Sequence, residues 1–113
     1  MIRPPAVAGR FYPAKPEALA RDLREYLAPP QRRLRALGCL VPHAGYMYSG
    51  PVAGAVYGAL ELPSTVVILG PNHYGRGAPL ALSPESQWET PLGLATVDRD
   101  LAARIQEAFP KLR

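Results

Sequence analysis

The sequence predicts an α/β protein with a largely parallel sheet, and two observations carry that prediction. Two short runs, ALGCLV (36–41) and TVVILG (65–70), are apolar on both faces, as is typical of strands buried in a parallel sheet. A helical sequence lies between them, and strand, helix and strand together span about thirty residues, the length of a βαβ unit. Such a crossover makes the two strands parallel, so both end at the same edge of the sheet.

A first helix is predicted to begin at Pro16, which suits the first turn of a helix, and to run to about Ala28. Pro29 and Pro30 end it, because proline cannot continue a helix. The apolar residues of this segment recur at helical spacing and predict one buried face: Leu19, Leu23, Tyr26 and Leu27.

A second helix is predicted between the two strands, over GPVAGAVYGALEL, with Ser49 as its N-cap and Pro51 as an early helical residue. Small residues cover much of its surface: Ala53, Gly54, Ala55, Gly58 and Ala59. Because each glycine costs a helix about 1 kcal/mol relative to alanine, close packing against a sheet is the expected compensation.

The last third of the chain is predicted to hold two further strands and a helix. Residues 78–83 are predicted as a short strand, 86–93 as a loop with a turn, and 94–98 as a strand. Asp98 is the predicted N-cap of the final helix, whose apolar residues again have helical spacing: Leu101, Ile105 and Phe109.

The composition is that of a globular protein, because 48% of the residues are hydrophobic and 19% are charged. A chain of 113 residues is enough for one domain with a small core, so we predict a single domain over 1–113.

The charge and cysteine content bear on partners and compartment. A single cysteine, Cys39, excludes an internal disulfide and fits a reducing cytoplasm. No apolar run is long enough for a membrane span, and the first residues lack the apolar core of a signal peptide. The net charge is +4, but the densest basic cluster (31–35) lies in a predicted linker without aromatic residues. We expect a cytoplasmic protein with neither nucleic acid nor membrane as a partner.

The two histidines of the chain each follow a predicted strand. His43 comes directly after Pro42, and His73 follows a Gly-Pro-Asn sequence. Both therefore lie at the carboxyl edge of the predicted sheet, where open α/β sheets bind ligands. Neighbouring strands are about 4.8 Å apart and metal–nitrogen bonds are about 2.1 Å long, so two imidazoles could share one metal ion. A structural or surface role for each histidine remains the alternative.

A third metal ligand is not evident in the sequence. Cys39 lies four residues before His43, about 13 Å along an extended strand at about 3.3 Å per residue, and is better explained as a small core residue. Asp98 and Glu89 are more simply explained by helix capping and by surface exposure. Tyr46 and Tyr48 could form the wall of a pocket, and Asn72 could orient a ligand or hydrogen-bond its own turn.

Four motifs, in this order, resemble the Memo family: VAGRFYP, VPHAGYMYSGPVA, VVILGPNHYG and WETPLGLATVD. The resemblance covers nearly the whole chain. It implies a three-layer α/β/α fold with a central, largely parallel sheet, similar to class III extradiol ring-cleaving dioxygenases. It also implies a site with two histidines and a cysteine that binds Fe(II) or Cu. His43 and His73 match the two histidines, while Phe11 and Tyr48 match residues that line the substrate pocket.

The sequence also departs from the pattern of the Memo family. Family members are longer, and their second half carries an EHS-type motif and the ligand cysteine, neither of which occurs here. The chain therefore resembles the N-terminal part of a Memo protein. The third ligand is expected to come from sequence that is absent here, and the sheet is expected to be incomplete.

Three functions follow as hypotheses. The first is a non-haem dioxygenase-like metal pocket, with metal-dependent oxidoreductase activity on a small molecule. The second is a non-catalytic module that binds a peptide, because the animal members of the family are described as signalling adaptors. The third is a truncated fragment without complete activity, whose open sheet edge requires a complementing chain or self-association.

Overall fold

The fold is described from a computed structural model, which describes residues 1–27, 29–30 and 32–113. In chain order the elements are β1 (Ile2–Arg3), α1 (Pro16–Tyr26), α2 (Tyr46–Gly58), β2 (Gln87–Thr90), β3 (Gly93–Thr96) and α3 (Arg99–Ala108). The chain forms two compact units. One contains 1–4, 65–89 and 94–113, and the other contains 5–64 and 90–93.

Helices α1 and α2 pack directly against each other, and glycines on α2 make the close approach possible. A Cβ atom on Gly50 would lie 2.7 Å from the Tyr26 ring, and one on Gly54 would collide with the Tyr26 backbone carbonyl. Gly50 and Gly54 of α2 therefore face a helix. The prediction that the small-residue surface packs against a sheet is wrong at Gly54, because Tyr26 of α1 occupies the space above it. On the α1 side, Leu19 is the most deeply buried hydrophobic residue, with 4% of its surface exposed.

Helix α1 begins at Pro16 as predicted and ends at Tyr26, with Leu27 as its C-cap; the predicted end at Ala28 lies outside the described residues. Helix α2 begins at Tyr46, three residues before the predicted N-cap. The Ser49 hydroxyl lies inside the helix and donates to the carbonyl of Ala44 at 2.8 Å. The earlier start brings Tyr46 and Tyr48 into the first turn of the helix.

The sheet has three strands in the order β1-β2-β3, and β1 pairs with β2 in parallel. Two residues join β2 to β3, a connection that only an antiparallel pair allows, so the sheet is mixed. The predicted α/β class is confirmed, and the sheet is small and incomplete. The predicted loop at 86–93 is wrong in part, because 87–90 form β2, whereas β3 confirms most of the strand predicted at 94–98.

The strands predicted at 36–41 and 65–70, here called the apolar segments, are absent, although the structure describes both segments in full. Strand structure requires a hydrogen-bonded partner, and most of these residues are exposed. Leu40 and Leu69, for example, are each 92% exposed. Leu34 forms an isolated parallel bridge with Leu60, which follows α2, and Arg35 forms an ion pair with Glu61 at 3.0 Å. The strand predicted at 78–83 is also absent from those described residues.

Helix α3 confirms the prediction for the end of the chain. Its N-cap is Asp98, whose side chain accepts a hydrogen bond from the Leu101 amide at 2.9 Å. This contact satisfies one of the first four amides of the helix, which have no partner within it. Ala102 is the buried residue of α3. Among the described residues, none of the helices combines the length and the apolar character that crossing a membrane requires.

Candidate functional site

Phe11 lies at the end of a tight turn that precedes α1. The amides of Arg10 and Phe11 both donate to the Val7 carbonyl, at 3.0 and 2.9 Å, and the Gly9 amide donates to the Tyr12 carbonyl at 2.7 Å. Gly9 has a φ of 80°, a conformation that side chains disfavour, so glycine is required at this position of the turn. The turn leaves the Phe11 side chain 44% exposed.

The start of α2 is attached to this turn by a backbone hydrogen bond. The Tyr46 amide donates to the Phe11 carbonyl at 2.7 Å. A Cβ atom on Gly45, the N-cap, would lie 3.6 Å from the Phe11 Cα and 3.9 Å from Cδ2 of Tyr48. The structure therefore brings Phe11 and Tyr48, the two predicted pocket-lining residues, to the same place. The Tyr48 side chain is 79% exposed there.

Three tyrosine rings form a half-buried cluster that includes Tyr46. The ring of Tyr46 lies 5.6 Å from that of Tyr12 and 6.3 Å from that of Tyr26, the second contact being edge-to-face. Burial raises the pKa of the Tyr46 hydroxyl above its usual 10.0. Electrostatic interactions with three acidic groups raise it further: Tyr12, Tyr57 and Asp22. Tyr46 is thus packed between two rings, whereas the sequence suggested a pocket wall.

Sequence reasoning missed this cluster. Tyr12 adjoins Phe11 in the sequence, and Tyr26 was assigned to the buried face of α1. The helical spacing of α1 could have indicated that Tyr26 faces a neighbour, but nothing in the spacing indicates which residue that neighbour is.

His43 is exposed and lies three residues before α2. Ala44 and Gly45 follow it, and the Ser49 hydroxyl donates to the Ala44 carbonyl, which fixes the backbone next to the histidine. His43 therefore lies two residues before Gly45, the N-cap at which the Phe11 turn meets α2.

His73 is exposed and lies in a loop that its neighbour Asn72 closes with a hydrogen bond. The Asn72 side-chain amide donates to the Arg76 carbonyl at 2.9 Å, so Asn72 hydrogen-bonds its own turn. Gly75 and Gly77 have φ values of 63° and 74°, which lets the chain reverse tightly. The Arg76 guanidinium lies 5.6 Å from the centre of the Tyr74 ring.

A shared site for both imidazoles stays a prediction, because His43 belongs to the unit that contains 5–64 and His73 to the other. Within the part of the chain that the structure describes, no group of three His, Cys, Asp or Glu side chains could hold a metal ion. Cys39 is exposed, so its prediction as a core residue is wrong. The reason is that 36–41 forms no strand and has no partner layer to bury it.

Comparison with known sequences decides the family. The sequence model described as "Memo-like protein" matches residues 3–112 of the chain. The chain belongs to the Memo family.

Curated Memo relatives agree with this assignment and are much longer. A MEMO1 family protein from Pyrobaculum arsenaticum is 48% identical over 120 residues, covering 96% of this chain and 43% of its own length. Another from Archaeoglobus fulgidus is also 48% identical, covering 98% of this chain and 40% of the relative. One from Aquifex aeolicus is 44% identical, covering 92% and 39%. The chain spans about two fifths of the length of the curated Memo relatives it matches.

Proposed function

We propose that this chain supplies part of a Memo-type metal-binding pocket, with His43 and His73 as two ligands of Fe(II) or Cu. Phe11 and Tyr48 line the pocket and contact a small molecule or a peptide. Family membership supports the proposal. The positions of the histidines support it too: the Ser49 hydroxyl holds the Ala44 backbone next to His43, and the Asn72 side chain closes the loop that contains His73.

The observation that carries the proposal is the 2.7 Å hydrogen bond from the Tyr46 amide to the Phe11 carbonyl. It joins two segments that are more than thirty residues apart in sequence and sets Phe11 beside Gly45. Since His43 lies only two residues before Gly45, one backbone contact gathers a candidate ligand and both candidate pocket residues into one region.

The donor set fits such a metal in type but is incomplete in number. Imidazole nitrogen suits iron and copper, yet a stable site usually needs a third protein ligand. The described residues hold no group of three donors, so they do not fit a complete centre by themselves. We propose that the third ligand comes from sequence that this chain lacks. A bound metal would supply Lewis-acid or redox chemistry; the proposed role of this chain is to donate two nitrogens and orient the bound molecule.

Calorimetric titration with Cu(II) tests the metal proposal. The exposed Cys39 thiol could bind copper by itself, so every protein carries Cys39→Ser. We expect His43→Ala and His73→Ala each to weaken binding at least about tenfold, a loss of about 1.4 kcal/mol. Asn72→Ala is the matched control, because it opens the loop beside His73 without removing a nitrogen ligand, and a smaller loss is expected. Equal affinity in the parent and in both histidine variants would refute the proposal.

A second candidate is a peptide-binding module without turnover, which is favoured by the exposure of Phe11 and Tyr48. A display library of random short peptides, panned against the Cys39→Ser protein in EDTA, tests it. Enrichment that is lost in Phe11→Ala and Tyr48→Ala but kept in EDTA would favour this candidate over the metal pocket. Enrichment that requires added metal would argue against it.

A third candidate is that the chain works only with a complementing chain. The apolar segments are exposed, and the matched Memo relatives extend well beyond the region of similarity. We propose that the partner is the rest of a Memo domain. Co-expression with the unmatched part of the Archaeoglobus fulgidus relative should give a one-to-one complex in light scattering, and Ile68→Asp, at an 86% exposed position, should abolish it. Separate monomers would contradict this candidate.

The cytoplasm is the proposed compartment, because the chain carries an exposed free thiol that an oxidising environment would modify.

A further inference from the structure

Tyr46 occupies the first position of α2, where backbone amides have no partner within the helix. The N-cap, Gly45, has no side chain to accept from these amides. The Phe11 carbonyl accepts the Tyr46 amide instead, at 2.7 Å. The turn that carries Phe11 therefore caps the helix that carries Tyr48.

The Tyr46 side chain makes a second attachment at the same point. Its ring lies 5.6 Å from the ring of Tyr12, which adjoins Phe11, and 6.3 Å from the ring of Tyr26 at the end of α1. Aromatic pairs at these separations attract each other beyond the burial of their area. Tyr26 in turn fills the space over Gly50 and Gly54. One residue thus links the Phe11 turn, the end of α1 and the start of α2.

We infer that Tyr46 is a positioning residue of the pocket, holding Phe11 and Tyr48 together through its amide and its ring. The inference rests on the proposed function for its meaning, because it concerns how the pocket-lining residues are placed. Tyr46 acts through Phe11 and Tyr48, and the raised pKa of its hydroxyl agrees with a ring packed among other groups.

Three substitutions separate the two attachments. Tyr46→Phe keeps both the ring and the amide. Tyr46→Ala keeps the amide and removes the ring. Tyr46→Pro removes both, and proline is well tolerated at the first position of a helix. The preceding Gly45 has a ψ of 154°, which is compatible with a following proline.

The readout is proximity at the pocket, measured by nuclear magnetic resonance without metal or ligand. The Gly45 Cα and Phe11 Cα protons should show a nuclear Overhauser effect, because the built Cβ of Gly45 lies 3.6 Å from the Phe11 Cα. We expect this signal to persist in Tyr46→Phe, to weaken in Tyr46→Ala and to vanish in Tyr46→Pro. In Tyr46→Ala, exchange of the amide at position 46 should accelerate by up to about tenfold, as expected when a hydrogen bond opens more often.

Leu19→Ala is the control for stability, since it removes buried methyl groups from α1 and leaves both the amide and the ring at position 46 unchanged. It should leave the signal between Gly45 and Phe11 intact at temperatures where the protein is folded. The inference is overturned if Tyr46→Ala keeps full proximity and parent exchange, or if Leu19→Ala removes the signal equally. Should Tyr46→Pro fail to fold, the comparison of Tyr46→Phe with Tyr46→Ala decides.

Metal uptake is measured on the same samples by the copper titration described above. If the parent protein binds no copper while the proximity pattern is as expected, the metal proposal fails and the positioning role stands. If copper binds through both histidines but proximity is insensitive to position 46, the positioning role alone fails.

Discussion

The apolar segments are more uniformly hydrophobic than the helix pair α1–α2, yet of these two regions only the helix pair contains buried residues. Leu19 of α1 is 4% exposed, whereas Leu40 in the first apolar segment is 92% exposed. A Cβ on Gly54 of α2 would strike the Tyr26 backbone, whereas one on Gly38 or Gly70 would meet no described atom within 4 Å. The more hydrophobic of the two regions is therefore the more exposed one.

The difference shows how much each kind of element depends on distant sequence. A helix satisfies its backbone hydrogen bonds internally and needs only one apolar face covered, so two neighbouring helices suffice. A strand that is apolar on both faces needs partner strands beside it and a layer on each face. The described residues supply the contacts that the helix pair needs but not the partner strands and layers that the apolar segments need.

The largest contrast is expected from one substitution made in both regions. Leu19→Ala should lower the free energy of unfolding by about 2–4 kcal/mol, because it removes buried methyl groups and leaves a cavity. Leu40→Ala should change it by less than about 0.5 kcal/mol, since the side chain is exposed. Urea unfolding followed by circular dichroism measures both. Similar losses would show that 36–41 is buried in solution, contrary to the exposure of Leu40.

Glycine substitutions should give the next largest contrast. Gly54→Ala should destabilise the protein by about 2 kcal/mol, because overpacking against the Tyr26 backbone outweighs the gain of about 1 kcal/mol in helix propensity. Gly38→Ala is the matched control and should lie within about 0.5 kcal/mol of the parent. Thermal unfolding measures both variants, and a neutral Gly54→Ala would show that α1 and α2 do not approach this closely.

A smaller effect is expected from pH. The pKa of Tyr46 is raised above 10.0 in the folded protein, so the unfolded chain loses this proton first as the pH increases. The folded state then binds more protons than the unfolded state, and stability falls as the pH rises above about 10. Tyr46→Phe should lose less stability between pH 9 and 11, about one unit either side of that value, in urea unfolding. Parallel curves would show that the Tyr46 ring is not packed as described.

The elements that the sequence predicted correctly are those whose signals are local. The start of α1 followed from Pro16, and the start of α3 followed from Asp98, whose side chain caps the helix. The start of α2 was placed too late because its capping group is the Phe11 carbonyl, which lies far away in sequence. The apolar segments have the pattern of buried strands but form none, because a pattern alone does not provide partner strands.

The candidate site was predictable to a similar extent. The motifs identified the family and named His43, His73, Phe11 and Tyr48 without any structure. Spacing could not reveal the ring contacts of Tyr46, because these depend on how α1 and α2 cross. The sequence allows two roles for Asn72, to orient a ligand or to hydrogen-bond its own turn. Its hydrogen bond to the Arg76 carbonyl supports the second role.

We propose above all that His43 and His73 of one chain bind the same metal ion. Electron spin echo spectroscopy of Cu(II) bound to the Cys39→Ser protein tests it most directly, because the echo modulation counts the coordinated imidazoles. We expect two imidazoles per copper in the parent and one in either His43→Ala or His73→Ala, with dilution leaving the count unchanged. A single imidazole per copper in the parent, or a count that neither substitution alters, would contradict the claim.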